Sequence, residues 1–436
     1  MRLMVGLWKE TILPQTGASR RQIWAWAGLD FANSGYTTVV LTAVFNAYFV
    51  SVVAGGSPNA TLAWTLLLGL SHLLVMVLAP WVGAYVDARG GRRRGLVLCT
   101  VVCATATAGL AWVGPGDWAM AGVLLLLSNF FFATHQDLSA AYLRELAPPD
   151  RLGRLSGFGW SVGYLGGLAT LAMALAWVMA GPKEILDMPP AQVQMSGAMW
   201  VTAAVFLVVG LVALSQLPET GAATEASWQQ AWSRLIRGWR EMGEHRALRS
   251  FLGCVLVYQS GVATVIALAS IYAQQALGFG MAQTIALLLV VNVTASLGAF
   301  LFGRLQDRLG HRRSLSMALV LWMLMVVVAA TAQGEAAFWV AANLAGLAMG
   351  ASQSGARAVV GLLAPAGSVS EAFGYWGVAI NAAAILGPLS YGLVTSVSAG
   401  DHRLALWMTG LFFLAGWVWL QRLSLDPSRN ERIEGQ

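Results

Sequence analysis

Charge is what this sequence has least of. Asp, Glu, Lys and Arg make up 11% of its 436 residues, the mean hydropathy is +0.65, and only one polar stretch, 217–248, outlasts a short loop. A soluble domain cannot cover itself with so few ions while also carrying 19 tryptophans, so the chain is expected in a bilayer. Two reactive patterns are missing too. There is no HExxH pair to hold zinc and no GxxxxGK[ST] loop to cradle a nucleotide phosphate, which argues against an enzyme and excludes an ATP-driven pump acting alone. The three cysteines, Cys99, Cys103 and Cys254, have no nearby His or acid to complete a ligand set, and they read as small apolar packing residues. No metal and no cofactor is expected. The formal charge of +6 has no soluble basic domain behind it, so nucleic acid is not an expected partner. Residues 1–22 carry Arg2, Lys9, Arg20 and Arg21 without a compact apolar core before a cleavage site, and do not read as a cleavable leader.

What the chain does have is apolar length. Crossing about 30 Å of hydrocarbon takes roughly 20 helical residues. Twelve such windows occur, at approximately 23–50, 62–86, 95–113, 118–143, 155–180, 197–216, 249–275, 282–304, 313–332, 336–364, 372–398 and 403–422. Helices are the expected form, because a backbone in lipid must satisfy its own hydrogen bonds. Of the 26 Lys and Arg, Lys183 and Arg403 fall in loops after odd-numbered windows and Arg357 lies inside the tenth, while the rest gather on the opposite face. That face is expected to be cytoplasmic, with both termini inside and the plasma or bacterial inner membrane as the site of residence. The organisation reads as a cytoplasmic segment 1–22, a six-helix bundle 23–216, a linker 217–248, a second bundle 249–423 and a tail 424–436. In the linker Trp228, Trp232, Leu235 and Trp239 fall on one helical face and Arg234, Arg237 and Arg240 on the other, as in a helix lying flat on the inner membrane surface.

The two halves repeat. "GAYVDARGGRR" at 83–93 returns as "GRLQDRLGHRR" at 303–313, with Gly, Asp, Gly and an Arg-Arg pair in register 220 residues apart. Leu146-Ala147-Pro148 returns as Leu363-Ala364-Pro365, and Phe158-Gly159 as Phe373-Gly374. Two parallel six-helix halves about a central axis is the plan of a secondary transporter that alternates access to a midplane site.

The first of these stretches closely resembles the helix 2–3 signature of the major facilitator superfamily, and its copy the helix 8–9 counterpart. The resemblance implies an all-α integral membrane protein with twelve transmembrane helices in two six-helix halves. It also implies a latch for the outward-open state, on Gly83, Asp87, Arg89, Arg92, Arg93, Gly303, Asp307, Arg308, Arg312 and Arg313. The glycines allow close approach, and the aspartates can hold arginines and helix N-termini across an inner gate. Asp30-Phe31-Ala32-Asn33-Ser34 and "SGFGWSVGYLGG" at 156–167 are similar to the first and fifth helices of the branch that contains the fungal autophagy-related vacuolar effluxers and their bacterial relatives. That branch implies a small polar cargo of amino-acid or short-peptide class, with protons as the coupling ion. An amphipathic cargo such as a lysophospholipid or hydrophobic drug is the alternative, suggested by the tryptophans. A receptor or scaffold would have little use for duplicated gates. Membrane lipids are the other expected partners, and a monomer the expected state.

Polar groups inside the spans carry the functional information, since an ionisable group there costs about 2.5–3.5 kcal/mol on insertion scales unless paired or hydrated. Asp30 and Asn33 share a face of the first span, where Asp30 either carries a coupling proton or pairs structurally. His135, Gln136 and Asp137 follow one another and cannot all face one way. An offset of 217 sets Gln136 opposite Gln353 and Ala140 opposite Arg357, which makes Asp137 the first expected partner of Arg357 and Asp30 the second. Such a pair, or a clamp on the two ends of a zwitterion, would suit a cavity in which Asn381 and the other amides are neutral companions. His72 reads as neutral and hydrogen-bonded.

Overall fold

The computed structural model describes residues 18–219 and 245–425, except 58, 183, 184, 186, 187, 278–280, 333, 399 and 400. The linker tryptophans and arginines from Trp228 to Arg240, Lys183, residues 1–17 and the tail from 426 lie outside the described residues. Within them the chain is helical. The first helix, α1 (Arg20–Val53), is followed by α2 (Ala60–Arg89), α3 (Arg92–Gly109), α4 (Trp118–Ala141), α5 (Leu152–Ala180) and α6 (Pro190–Leu214). The second set is α7 (Arg246–Leu277), α8 (Met281–Leu309), α9 (His311–Thr331), α10 (Glu335–Leu363), α11 (Val369–Val397) and α12 (His402–Gln421).

Eleven of these, among the described residues, are long and apolar enough to cross a membrane. The exception is α10, which is as long but carries Glu335, Asn343, Gln353 and Arg357, and turns most of its length from Ala341 to Gly361 inward. The outward faces are as apolar as the interior. On α2, Leu62, Leu66, Leu70, Leu73 and Val77 are all exposed at helical spacing, a stripe suited to lipid.

Local chemistry explains the ends. Ser19 and Gln22 form a capping box at the start of α1, each side chain serving the other's backbone N–H. Past Tyr36 the helix widens into π turns at Thr37–Ala43 and Phe49–Val53 on either side of Phe45–Tyr48. The glycines of α5 decide how the halves meet. Gly163, Gly166 and Gly167 press on the backbone and side chains of α1 between Asp30 and Thr38, while Gly153 and Gly157 press on the backbone of α8 at Gly303 and Ala299. A Cβ at Gly303 would lie 2.6 Å from the Gly153 carbonyl oxygen, so no larger residue fits without parting the helices. On the other side of the molecule α11 meets α2 the same way, with Gly374 against Pro80 and Gly83 against Ser370.

Candidate site between the two halves

Helices with one apolar face toward lipid must place their polar side chains between helices, and here the polar contacts concentrate where one half meets the other. The outermost layer, at the arginine-rich end, is the repeated aspartate. Asp307 on α8 accepts from the backbone N–H of Gly153 and Arg154, at 2.9 and 3.1 Å, at the N-terminus of α5, and pairs with the Arg154 guanidinium at 3.2 Å. Asp87 on α2 accepts from Glu371 N, at 2.9 Å, at the N-terminus of α11. An acceptor at a helix N-terminus meets unsatisfied N–H groups and the positive end of the dipole. Gly153 and Arg154 stand 217 residues before Ser370 and Glu371, so the two contacts are copies of each other.

The arginines of this layer differ from expectation. Arg92 is buried and central: Nε donates to Ser370 Oγ at 3.0 Å, Nη2 lies 3.4 Å from Asp87, Nη1 pairs with Glu145, and the guanidinium lies over the Tyr142 ring. Arg89 instead reaches back to Tyr85 on its own helix, the backbone N–H of Arg93 donates to Glu219, and Arg308, Arg312 and Arg313 are exposed at the rim. The partner of Asp307 is Arg154, whose role the repeat did not signal because it stands on α5 rather than in either copy. Arg144 was also missed. From the N-terminal half it donates to the carbonyls of Gly361 and Ala364 at the end of α10, where unpaired C=O groups await a cation.

Deeper in lies an ion pair that joins three helices. Arg357 on α10 donates through Nη1 to both oxygens of Asp30 on α1, at 3.0 and 2.8 Å, through Nε to Ser156 Oγ at 3.0 Å and through Nη2 to the Ser156 carbonyl at 2.8 Å. The guanidinium is sandwiched by Trp26 and Trp160, 4.7 and 5.4 Å from the ring centroids. Gly159 makes the room, since a Cβ there would lie 2.7 Å from Arg357 Nη2. Arg357 is 2% exposed and Asp30 7%, so this is a desolvated pair with most of its donors satisfied. The first expected partner, Asp137, is therefore replaced by the second. The reason is rotational: Asp137 points from α4 toward α11, where its carboxyl abuts Gly377.

The remaining candidates scatter. His135 is buried inside the N-terminal half, its ring 5.2 Å from that of Phe206 on α6, so it does not face the opposite half. Gln136 is partly exposed, and its carbonyl accepts from Ser139. Asn33 is buried with both side-chain polar atoms unpartnered, and Gln353 is buried on α10. Asn381 does cross the interface, its Oδ1 2.7 Å from His72 Nδ1, while its Nδ2 donates to Gly377. On the α5–α8 side, Ser161 and Ser296 join the two helices at 2.8 Å. Gly159-Trp160-Ser161-Val162-Gly163 spells the GxSxG of serine hydrolases, yet it lies within a helix, not at a strand-to-helix turn, and Ser161 is bonded to Ser296. Trp26, Ser156 and Trp160 were legible only in part. Trp26 is one turn before Asp30, and the Gly/Ser spacing of 156–167 marks a close approach without saying of what.

Two family descriptions match this sequence. "Vacuole effluxer Atg22 like" covers 144–433, and "Major Facilitator Superfamily" covers 7–171. The chain is 25% identical over 421 residues to the "Uncharacterized MFS-type transporter YxiO" of Bacillus subtilis (strain 168), spanning 93% of this chain and 96% of that one. Among solved structures, the human organic anion transporter MFSD10 superposes with a TM-score of 0.73 at 18% identity, over 94% of this chain and 100% of that one. The proton:xylose symporter XylE superposes with a TM-score of 0.71 at 16% identity, over 92% and 95%. At these identities the superpositions speak for the fold.

Proposed function

Because the chain belongs to the Atg22-like vacuole effluxers of the major facilitator superfamily, and so is a secondary transporter, we propose that it moves a small polar solute of amino-acid or short-peptide class by proton-coupled alternating access. The moving parts in this reading are the bundles 23–216 and 249–423, the arginine-rich end faces the cytoplasm of a plasma or bacterial inner membrane, and the protein works as a monomer. In this reading Asp87 and Asp307, seated on the N-termini of α11 and α5, keep the cytoplasmic end shut.

The observation that carries the substrate class is the Asp30–Arg357 pair, which ties the N-terminal half to the C-terminal half with opposite charges. A zwitterion can exchange with it. Its carboxylate takes the planar fork of Arg357, its ammonium takes Asp30, and every buried charge stays compensated while the tie between the halves is released. A cargo lacking one charge would strand either Asp30 or Arg357.

Counterflow of radiolabelled amino acids and dipeptides into proteoliposomes tests this. Saturable exchange is expected, and Arg357→Lys should lower it by about 10- to 150-fold, the loss of one charge-assisted contact of about 1.5–3 kcal/mol. Exchange of lysophospholipid or a hydrophobic cation that ignores Arg357→Lys, with none of amino acids, would overturn it.

A further inference from the structure

Asp137 takes no part in the hydrogen bonds and ion pairs above. It is 7% exposed, and its Oδ2 has no hydrogen-bond partner. Thr134, one turn earlier on α4, is also buried with its Oγ1 unpartnered. Both line a narrow crevice between α2, α4 and α11, together with Ala79, Val82, Gly83 and Ser370. The crevice is too narrow to seat a water molecule. Across it the carboxyl is pressed on Gly377, where a Cβ would lie 3.0 Å from Asp137 Cγ. Gly83 and Ser370 are themselves a latch contact, so this carboxyl stands directly behind the gate.

The charged and titratable groups on the surrounding helices are engaged elsewhere. On α2, Asp87 is held by Glu371 N and Arg92, Tyr85 by Arg89, and His72 by Asn381. On α11, Glu371 accepts from the Tyr375 hydroxyl. On α3, Arg92 serves Asp87, Glu145 and Ser370, and the buried Cys99 and Cys103 offer no charge. On α4 itself His135 faces Phe206 of α6, and the α1–α10 pair of Asp30 and Arg357 is closed on itself. An ionised Asp137 would have no counter-ion and little solvent, at a cost of several kcal/mol, whereas the neutral acid is only a polar group with one added donor.

We infer that Asp137 is a proton-binding site of the inward-closed state, loaded while α11 packs on α2 and α4 and emptied to the cytoplasm when that seam parts. On emptying, the O–H bond breaks, the electron pair stays on the carboxyl oxygen and the proton passes to water entering the seam. Its use in coupling rests on the transport reading; the proton itself does not. The direction follows by linkage. Since the closed seam binds the proton and the open one releases it, lowering the pH stabilises closure and raising it favours opening. Asp30, tied to Arg357, is left as the substrate-side lock rather than the carrier.

Infrared difference spectroscopy on the full chain in nanodiscs reads this without any substrate. At pH 7 the carbonyl stretch of one protonated carboxylic acid should vanish in Asp137→Asn and survive in Asp30→Asn, with Asp137→Ser as a second variant should Asn disturb folding. In a chain freed of Cys99, Cys103 and Cys254, labelling of Ser370→Cys by an impermeant thiol reagent, taken relative to a fully exposed cysteine to remove the thiolate's own pH dependence, should rise with pH, and Asp137→Asn should abolish that excess. A wild-type spectrum with no band assignable to Asp137, or an excess that persists in Asp137→Asn, overturns the inference. If the band behaves as expected while no solute moves in any variant, the proton site stands and the transport reading falls.

Discussion

At position 357 the charge carries two duties that substitution can separate. Removing the guanidinium leaves Asp30 ionised in a site with no solvent, which should cost about 3–5 kcal/mol. Arg357→Ala is therefore expected to lower the thermal midpoint sharply, and Asp30→Ala added to it should restore part of the loss. Arg357→Lys should keep most of the stability, because a charge remains for Asp30, but forfeit the fork that also holds Ser156. Differential scanning fluorimetry on the three variants checks the order Lys, then the double variant, then Ala. A double variant no more stable than Arg357→Ala would show that the pair is not the reason for the loss. The sequence made both charges visible, since neither belongs in a lipid-spanning helix without a partner. It could not say which carboxylate met the arginine. Repeat offsets fix depth along an axis, and the choice between Asp30 and Asp137 turns on rotation about that axis, which only packing determines.

Among the helices α5 is the one on which the assembly turns, because it presents glycine to α1 on one face and to α8 on the other. Of the repeated glycines, Gly303 completes the α5–α8 contact and Gly83 its α2–α11 counterpart, and the cost of filling Gly303 can be set against a glycine that touches nothing. Gly303→Ala places a methyl against the Gly153 carbonyl, and overpacking of that kind costs about 1–3 kcal/mol. Gly69 on α2 has open space around it. The expectation is that Gly303→Ala lowers the thermal midpoint and raises thiol accessibility at the arginine-rich end, whereas Gly69→Ala leaves both within error. Equal effects would mean that close approach at α5–α8 is not what holds the end shut. The apolar windows located the elements well, but their limits at the arginine-rich end less so. Hydropathy ends the eighth window at 304 and the helix runs on to Leu309, carrying Asp307 on its last turn. Charge marks where a helix leaves lipid, not where it stops. The π turns of α1 had no counterpart in the pattern at all, since Val, Thr and Phe in that stretch suit an ordinary apolar helix equally well.

For the molecule as a whole, two features with different symmetry share one end. The aspartate contacts obey the repeat, Asp87 with α11 in one copy and Asp307 with α5 in the other. The Asp30–Arg357 pair does not, since Ala140 occupies the position equivalent to Arg357. A symmetric pair of latches suits a gate that must open along its full width, and a single asymmetric tie suits a lock that one solute molecule can undo. The symmetric part makes a quantitative prediction. Asp87 and Asp307 share no partner, so their contributions to closure should add. Asp87→Asn and Asp307→Asn each weaken charge-assisted bonds of about 1.5–3 kcal/mol, which is about 10- to 150-fold in the ratio of open to closed molecules. The double variant should multiply the two factors. Measured as labelling rates of Ser370→Cys from the arginine-rich end, or of a cysteine replacing Ser156 at the α5–α8–α10 junction, a product of factors supports two independent latches acting on one gate. A double variant that labels no faster than the single ones would mean that breaking either contact already frees both, and that the gate is one cooperative unit rather than a sum of two.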